Sequence, residues 1–218
     1  TRMEAGETWL VVGRGGNTGG RNPSEVIGNP DCKLTEPTDM SYVVGVTMPD
    51  GKPIVCGRAR TTTTAAGITA SYNYGAGCQV FSTNTGQWET FVKPLSNARY
   101  RSVMVALPSG TYLLGGSSSS VRKTSEFLAS GSSTWTSGPE IPGNGAYNFF
   151  CAVALNSTSF VIIGSSNNDK SVKVYNEATD SWIYWPDLPQ PRDTSGCIKY
   201  GDKILVTGGL RSTARSNE

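Results

Sequence analysis

Five cysteines, no histidine and a scatter of arginines and carboxylates set the limits of what this sequence could do chemically. Without imidazole there is no Ser-His-Asp triad, no Cys-His dyad and no His-ligated metal, so much hydrolytic and redox chemistry is removed at once. The cysteines lack zinc-ligand spacing, and no metal or other cofactor is expected. Paired acids can support glycoside hydrolysis, but the sequence gives no sign that any two converge. No catalytic residue is assigned.

What remains is structural and recognition chemistry. Cys56 ends one apolar run and Cys78 starts the next, so they could lie side by side in adjacent strands and form a disulfide. Cys151 and Cys197 occupy matching places in successive copies of a repeat. They could bridge, but free cysteine is also a small buried hydrophobe, and that is the ordinary outcome. Cys32 is left over, with either a partner elsewhere or a buried thiol. Asn156-Ser157-Thr158 is an N-glycosylation tripeptide on a predicted hairpin tip, where a transferase could reach it; its alternative is a plain turn. Arg99 and Arg192 each precede a hairpin by a similar distance. They could present a rim to an acidic or carbohydrate partner, together with Arg58 and Arg122 from polar loops. The more ordinary alternative is an ion pair or a stem packed over an aromatic, with Glu25 and Glu126 as the partners.

The elements that must position these residues come from an internal repeat. Four segments share one plan: SYVVGVTMPDGKPIVCG (41–57), RSVMVALPSGTYLLGG (101–116), FFCAVALNSTSFVIIG (149–164) and SGCIKYGDKILVTGG (195–209). Each is an apolar run, a tight turn such as Asp50-Gly51 or Ser109-Gly110, a second apolar run, then glycine. Alternating runs around such turns predict β-hairpins. TWLVVG (8–13) opens the chain as a further copy of the second strand. A polar loop follows each glycine, then a short third strand: CQVF (78–81), SEFL (125–128) and VKVY (172–175). A turn and a tryptophan follow. Trp88, Trp135 and Trp182 are 47 residues apart in both steps. A period near 40–50 residues with four short strands is what a propeller blade requires.

The totals agree with this reading. Apolar residues make up 37% of 218, enough to bury, and 26 glycines and 12 prolines point to many turns. The net charge of +2 is dispersed rather than gathered into a basic stripe, so no nucleic-acid partner is expected. No apolar run approaches the ~20 residues of a membrane span. Thr1 in place of an initiator Met reads as a processed or partial chain.

The glycine ends Gly57, Gly115-Gly116, Gly164 and Gly208-Gly209 resemble those of kelch repeats. So do the aromatics Phe81, Phe127 and Tyr175, the three tryptophans, and Pro191-Arg192 ahead of a new hairpin. TSGPEIPGNGAYNFFCAV (136–153) is similar to segments of secreted invertebrate kelch-like proteins. Two doublets depart from the pattern, where Arg58 and Ser165 follow the glycine. The resemblance implies an all-β, kelch-type β-propeller, with three complete four-stranded blades and two partial ones. The chain would then be a segment of a six- or seven-bladed ring, its remaining blades supplied by a longer chain or another chain. The blades are expected near 1–37 (partial), 38–92, 93–138, 139–188 and 189–218 (partial).

The function that follows is a non-catalytic scaffold that binds a protein or glycan ligand, secreted or at the cell surface, with loops 58–74 and 117–123 as its contact face. The alternatives are an intracellular, cytoplasmic kelch adaptor that presents a substrate to a larger assembly, and an oxidase-like propeller whose metal ligands lie outside this segment.

Overall fold

The computed structural model describes residues 9–12, 24–27, 44–62, 71–91, 93–116, 122–143, 147–166, 169–211 and 214–215. Side chains are described for these except 9–12, 24–27, 58–62, 71–75, 210–211 and 214–215. Cys32 and the loop 117–121 therefore fall outside the described residues, and of Glu25 only the backbone is described.

Every described element is a strand. β1 (Trp9–Val12) pairs with β2 (Ser24–Ile27). Three antiparallel four-stranded sheets follow, each in simple sequential order. The first is β3 (Val44–Thr47), β4 (Pro53–Thr62), β5 (Ser71–Ser82) and β6 (Gln87–Thr90). The second is β7 (Val103–Leu107), β8 (Gly110–Leu114), β9 (Ser125–Ala129) and β10 (Trp135–Ser137). The third is β11 (Cys151–Asn156), β12 (Ser159–Ser165), β13 (Asp169–Asn176) and β14 (Ser181–Trp185). β15 (Gly196–Tyr200) pairs with β16 (Lys203–Thr207), and β17 (Leu210–Arg211) with β18 (Ala214–Arg215). Four-stranded meanders repeated along the chain are the blades of a β-propeller.

The second strands of the last two complete blades are covered on both faces, so their apolar residues run nearly continuously rather than alternating. All five residues of β8 are buried, as are all seven of β12. Three core clusters lie at three successive seams. Ile54, Cys56 and Cys78 meet Met104, Leu113, Leu128 and Trp135 between the first two sheets. Tyr112 and Leu114 meet Phe160, Ile162 and Tyr175 at the next. Val161, Ile163 and Val174 meet Cys197, Ile204 and Val206 at the last. No blade closes its own core, so neighbouring blades stabilise one another.

The glycines mark where consecutive blades touch. Gly115 and Gly164 have φ of 62° and 65°, in the left-handed region. A Cβ on Gly115 would overlap the backbone oxygen of Tyr147, and one on Gly164 that of Arg192. Tyr147 and Arg192 each lead into the following blade, so these glycines admit the next repeat. A second repeated feature carries no glycine. Arg101, Phe149 and Thr194, each two residues before a first strand, have φ of 57°, 57° and 56°. Phe149 N–H donates to Arg101 O (3.4 Å) and Thr194 N–H to Phe149 O (2.6 Å), linking three blades through their backbones.

Two expectations are corrected. The stretch 58–74 is not simply a loop, because β4 and β5 continue as paired strands from Arg58↔Gly75 to Thr62↔Ser71. A register shift after Cys56 lets the long hairpin extend beyond the blade. Phe127 is also not the equivalent of Phe81 and Tyr175. Those two lie opposite Trp88 and Trp182, but Trp135 lies opposite Leu128. One residue of offset turns Phe127 to the other face, where it packs on Tyr112 at 4.6 Å.

Candidate functional site

The arginine expected at a rim is inside. Arg99 is 1% exposed and its Nε donates to Glu126 Oε1 at 3.0 Å. Its other nitrogens donate to Gly115 O, Thr124 O and Thr124 Oγ1. Glu126 Oε2 in turn accepts from Ser96 N–H at 2.7 Å. Burial holds the guanidinium below its ordinary pKa, while the Glu126 carboxylate pulls the other way. A planar fork with this many fixed acceptors cannot also serve a ligand. Rim binding by Arg99 is therefore replaced by the ion-pair alternative. Arg192, at the same place in the next repeat but one, donates from Nη1 to Gly208 O at 2.5 Å, as Arg99 does to Gly115 O.

The intervening blade solves the same position with different chemistry. Counting from the start of the first strand, Tyr147 stands where Arg99 and Arg192 stand. Glu126 pairs with Leu113, and Lys173 with the corresponding Ile162, so a lysine replaces the glutamate. The Lys173 ammonium lies 4.9 Å from the Tyr147 ring centre and 3.5 Å from Asp169, bonded also to Ser171 Oγ. A cation–π contact thus takes the place of the ion pair. Burial lowers the Lys173 pKa, opposed by Asp169. Sequence reading missed both members because neither keeps the residue type of the repeat.

Both cysteine pairs stand at disulfide-bonding distance. Cys56 and Cys78 are a cross-strand pair within one blade, with Cα atoms 4.1 Å apart. Cys151 and Cys197 join successive blades, Cα to Cα 5.8 Å, against the buried-thiol expectation for them. The reason is a register offset. Cys151 lies opposite the residue just before Gly164, whereas Cys197 lies opposite the residue two before Gly208. That step turns Cys197 back towards the preceding blade.

Asn156 lies at the exposed β11–β12 turn, its Oδ1 accepting from Thr158 N–H (2.9 Å) and Thr158 Oγ1 (3.2 Å). Arg122 is exposed beside the third strand of its blade. Arg58 lies in β4 with its side chain outside the described set. Among the described residues, no three His, Cys, Asp or Glu side chains gather to hold a metal, and no helix is long and apolar enough to cross a membrane.

A concave feature does exist, on the side of the blades where the short turns lie. A groove of about 490 Å³ separates the first two complete blades, within the usual range for ligand sites. Met48, Val80, Phe91 and Leu128 form its apolar part; Asp50, Lys52 and Glu89 stand among its polar residues. Thr111 also lines it, 1% exposed, and its hydroxyl has no hydrogen-bond partner among the described residues.

A stack of four-stranded blades defines a repeat scaffold whose buried charges tie the lead-in of each blade to that blade's own second and third strands. Sequence comparison is consistent with kelch repeats. The chain is 33% identical over 81 residues to an F-box/kelch-repeat protein of Arabidopsis thaliana, covering 35% of this chain and 22% of that protein. The chain thus matches less than a quarter of the relative's length. No family model matches.

Proposed function

We propose that this chain is part of a kelch-type β-propeller that acts as a non-catalytic binding scaffold, secreted or at the cell surface, for a protein or glycan ligand. The observation that carries the proposal is the pair of cysteine contacts at disulfide distance, one of them joining successive blades. Disulfides persist in oxidising compartments, and a cross-blade bond suits a scaffold that must keep its rims in register outside the cell. Asn156, exposed in a turn, is the proposed glycan acceptor.

The second reading is an intracellular adaptor. It draws on the Arabidopsis relative, whose name joins an F-box to kelch repeats. Expression through a eukaryotic secretory pathway separates the two. The first reading expects secreted, soluble protein that loses glycan mass from Asn156 on glycosidase treatment and loses none after Asn156→Gln. It further expects that protein to retain specific ligands on arrays of extracellular proteins and glycans. Retention inside the cell with unmodified Asn156 and fully reduced thiols contradicts it and favours the adaptor.

A further inference from the structure

The groove between the first two complete blades follows from a substitution pattern in the repeat. At the next seam, between β7–β10 and β11–β14, four positions carry aromatic rings: Tyr112, Phe127, Phe160 and Tyr175. Tyr112 lies 4.6 Å from Phe127, 5.1 Å from Phe160 and 5.9 Å from Tyr175, and Phe160 lies 5.3 Å from Tyr175. The strand registers name their counterparts one blade earlier. Ile54 pairs with Val80 as Tyr112 does with Phe127, and Thr111 pairs with Leu128 as Phe160 does with Tyr175. All four rings are absent at the first seam. Val80, Thr111 and Leu128 line the groove that their absence opens.

The polar groups at this groove are unevenly satisfied. Asp50 is paired with Lys52 at 3.4 Å. Glu89 lies opposite Val80 on β6, on the same face and exposed, with no ion pair among the described residues. The Thr111 hydroxyl, on the same face of β8 as buried Leu113, is buried and has no hydrogen-bond partner among the described residues, a state that a partner group would relieve.

The geometry points to this seam as the docking site for a tyrosine side chain of a partner polypeptide, followed by a lysine or arginine. The ring would occupy the space that Phe160 fills at the next seam. Its phenol oxygen would meet the Thr111 hydroxyl, and the adjacent cation would meet Glu89. The inference rests on the binding-scaffold reading and narrows it to one seam and one partner chemistry.

The test is titration of the full chain with Ac-Gly-Tyr-Lys-Gly-NH2, followed by the backbone amide NMR signals of Val80, Glu89 and Thr111. Saturable shifts at these amides are expected. Ala in place of Tyr should weaken binding at least fivefold, and Glu in place of Lys at least threefold. Val80→Phe restores a ring at the position of Phe127 and should abolish the response. Thr111→Val, nearly isosteric, should keep the fold and erase any preference for Tyr over Phe in the peptide. Glu89→Gln, at an exposed position, should remove the preference for Lys. No saturable shift with any peptide overturns the proposal, as does an unchanged response in Val80→Phe. Shifts caused by methyl β-galactoside but not by the peptides make the groove a saccharide site and equally overturn it. A Val80→Phe protein that still retains its array ligands leaves the wider scaffold reading standing while the groove proposal fails.

Discussion

Glu126→Ala is expected to destabilise the chain by about 3–5 kcal/mol, because it strands a buried guanidinium and frees the N–H of Ser96. For a domain of this size that is a fall in Tm of roughly 10 °C or more, read by calorimetry or near-ultraviolet circular dichroism. The pair is not valuable for its attraction alone. Burying either charge costs several kcal/mol, and the Coulomb energy with four further hydrogen bonds only offsets it. The double variant Arg99→Met/Glu126→Leu should therefore be more stable than either single charge deletion, giving a coupling energy well above 1 kcal/mol. A Glu126→Ala protein that melts within about 2 °C of the parent would show that Arg99 is not held as described.

The second large effect belongs to Gly164. Its φ of 65° costs an L-residue about 1–2 kcal/mol, and the added methyl also overlaps the backbone oxygen of Arg192, which belongs to the next blade. Gly164→Ala should cost about 3 kcal/mol or more in total. It should also expose the last seam selectively, with faster amide exchange in β15 and β16 than in β7 and β8. Gly131→Ala is the control, since its φ of 76° carries the same backbone penalty but a Cβ there meets nothing within 4 Å. Equal losses at the two glycines would mean that backbone strain, and not the blade contact, sets the requirement.

The sequence made the repeat legible because hairpins announce themselves locally. Apolar runs around Asp50-Gly51, Ser109-Gly110, Asn156-Ser157 and Gly201-Asp202 become β3–β4, β7–β8, β11–β12 and β15–β16 in the structure. The tryptophans at constant spacing fall in the fourth strands β6, β10 and β14. Side-chain direction was harder, since one residue of offset flips a face. Phe127 resembles a repeat aromatic although Leu128 holds that register, and the pairing of Cys197 depends on a similar step. The candidate site was the least legible part. Arg99 looks like any surface arginine until Glu126, 27 residues away, is brought to it. Tyr147 with Lys173 performs a related task with no shared residue type. Thr111 gains meaning only when the residue at the equivalent position of the next blade, Phe160, is known.

The most direct measurement is a non-reducing peptide map of protein recovered from an oxidising compartment, with free thiols blocked before digestion. Successive blades in register predict one cross-link between residues 56 and 78, and another between residues 151 and 197, the latter spanning 46 residues. A map with all four of these cysteines carrying the blocking group, or with Cys56 or Cys78 joined to Cys151 or Cys197, would contradict the arrangement of blades on which the function rests.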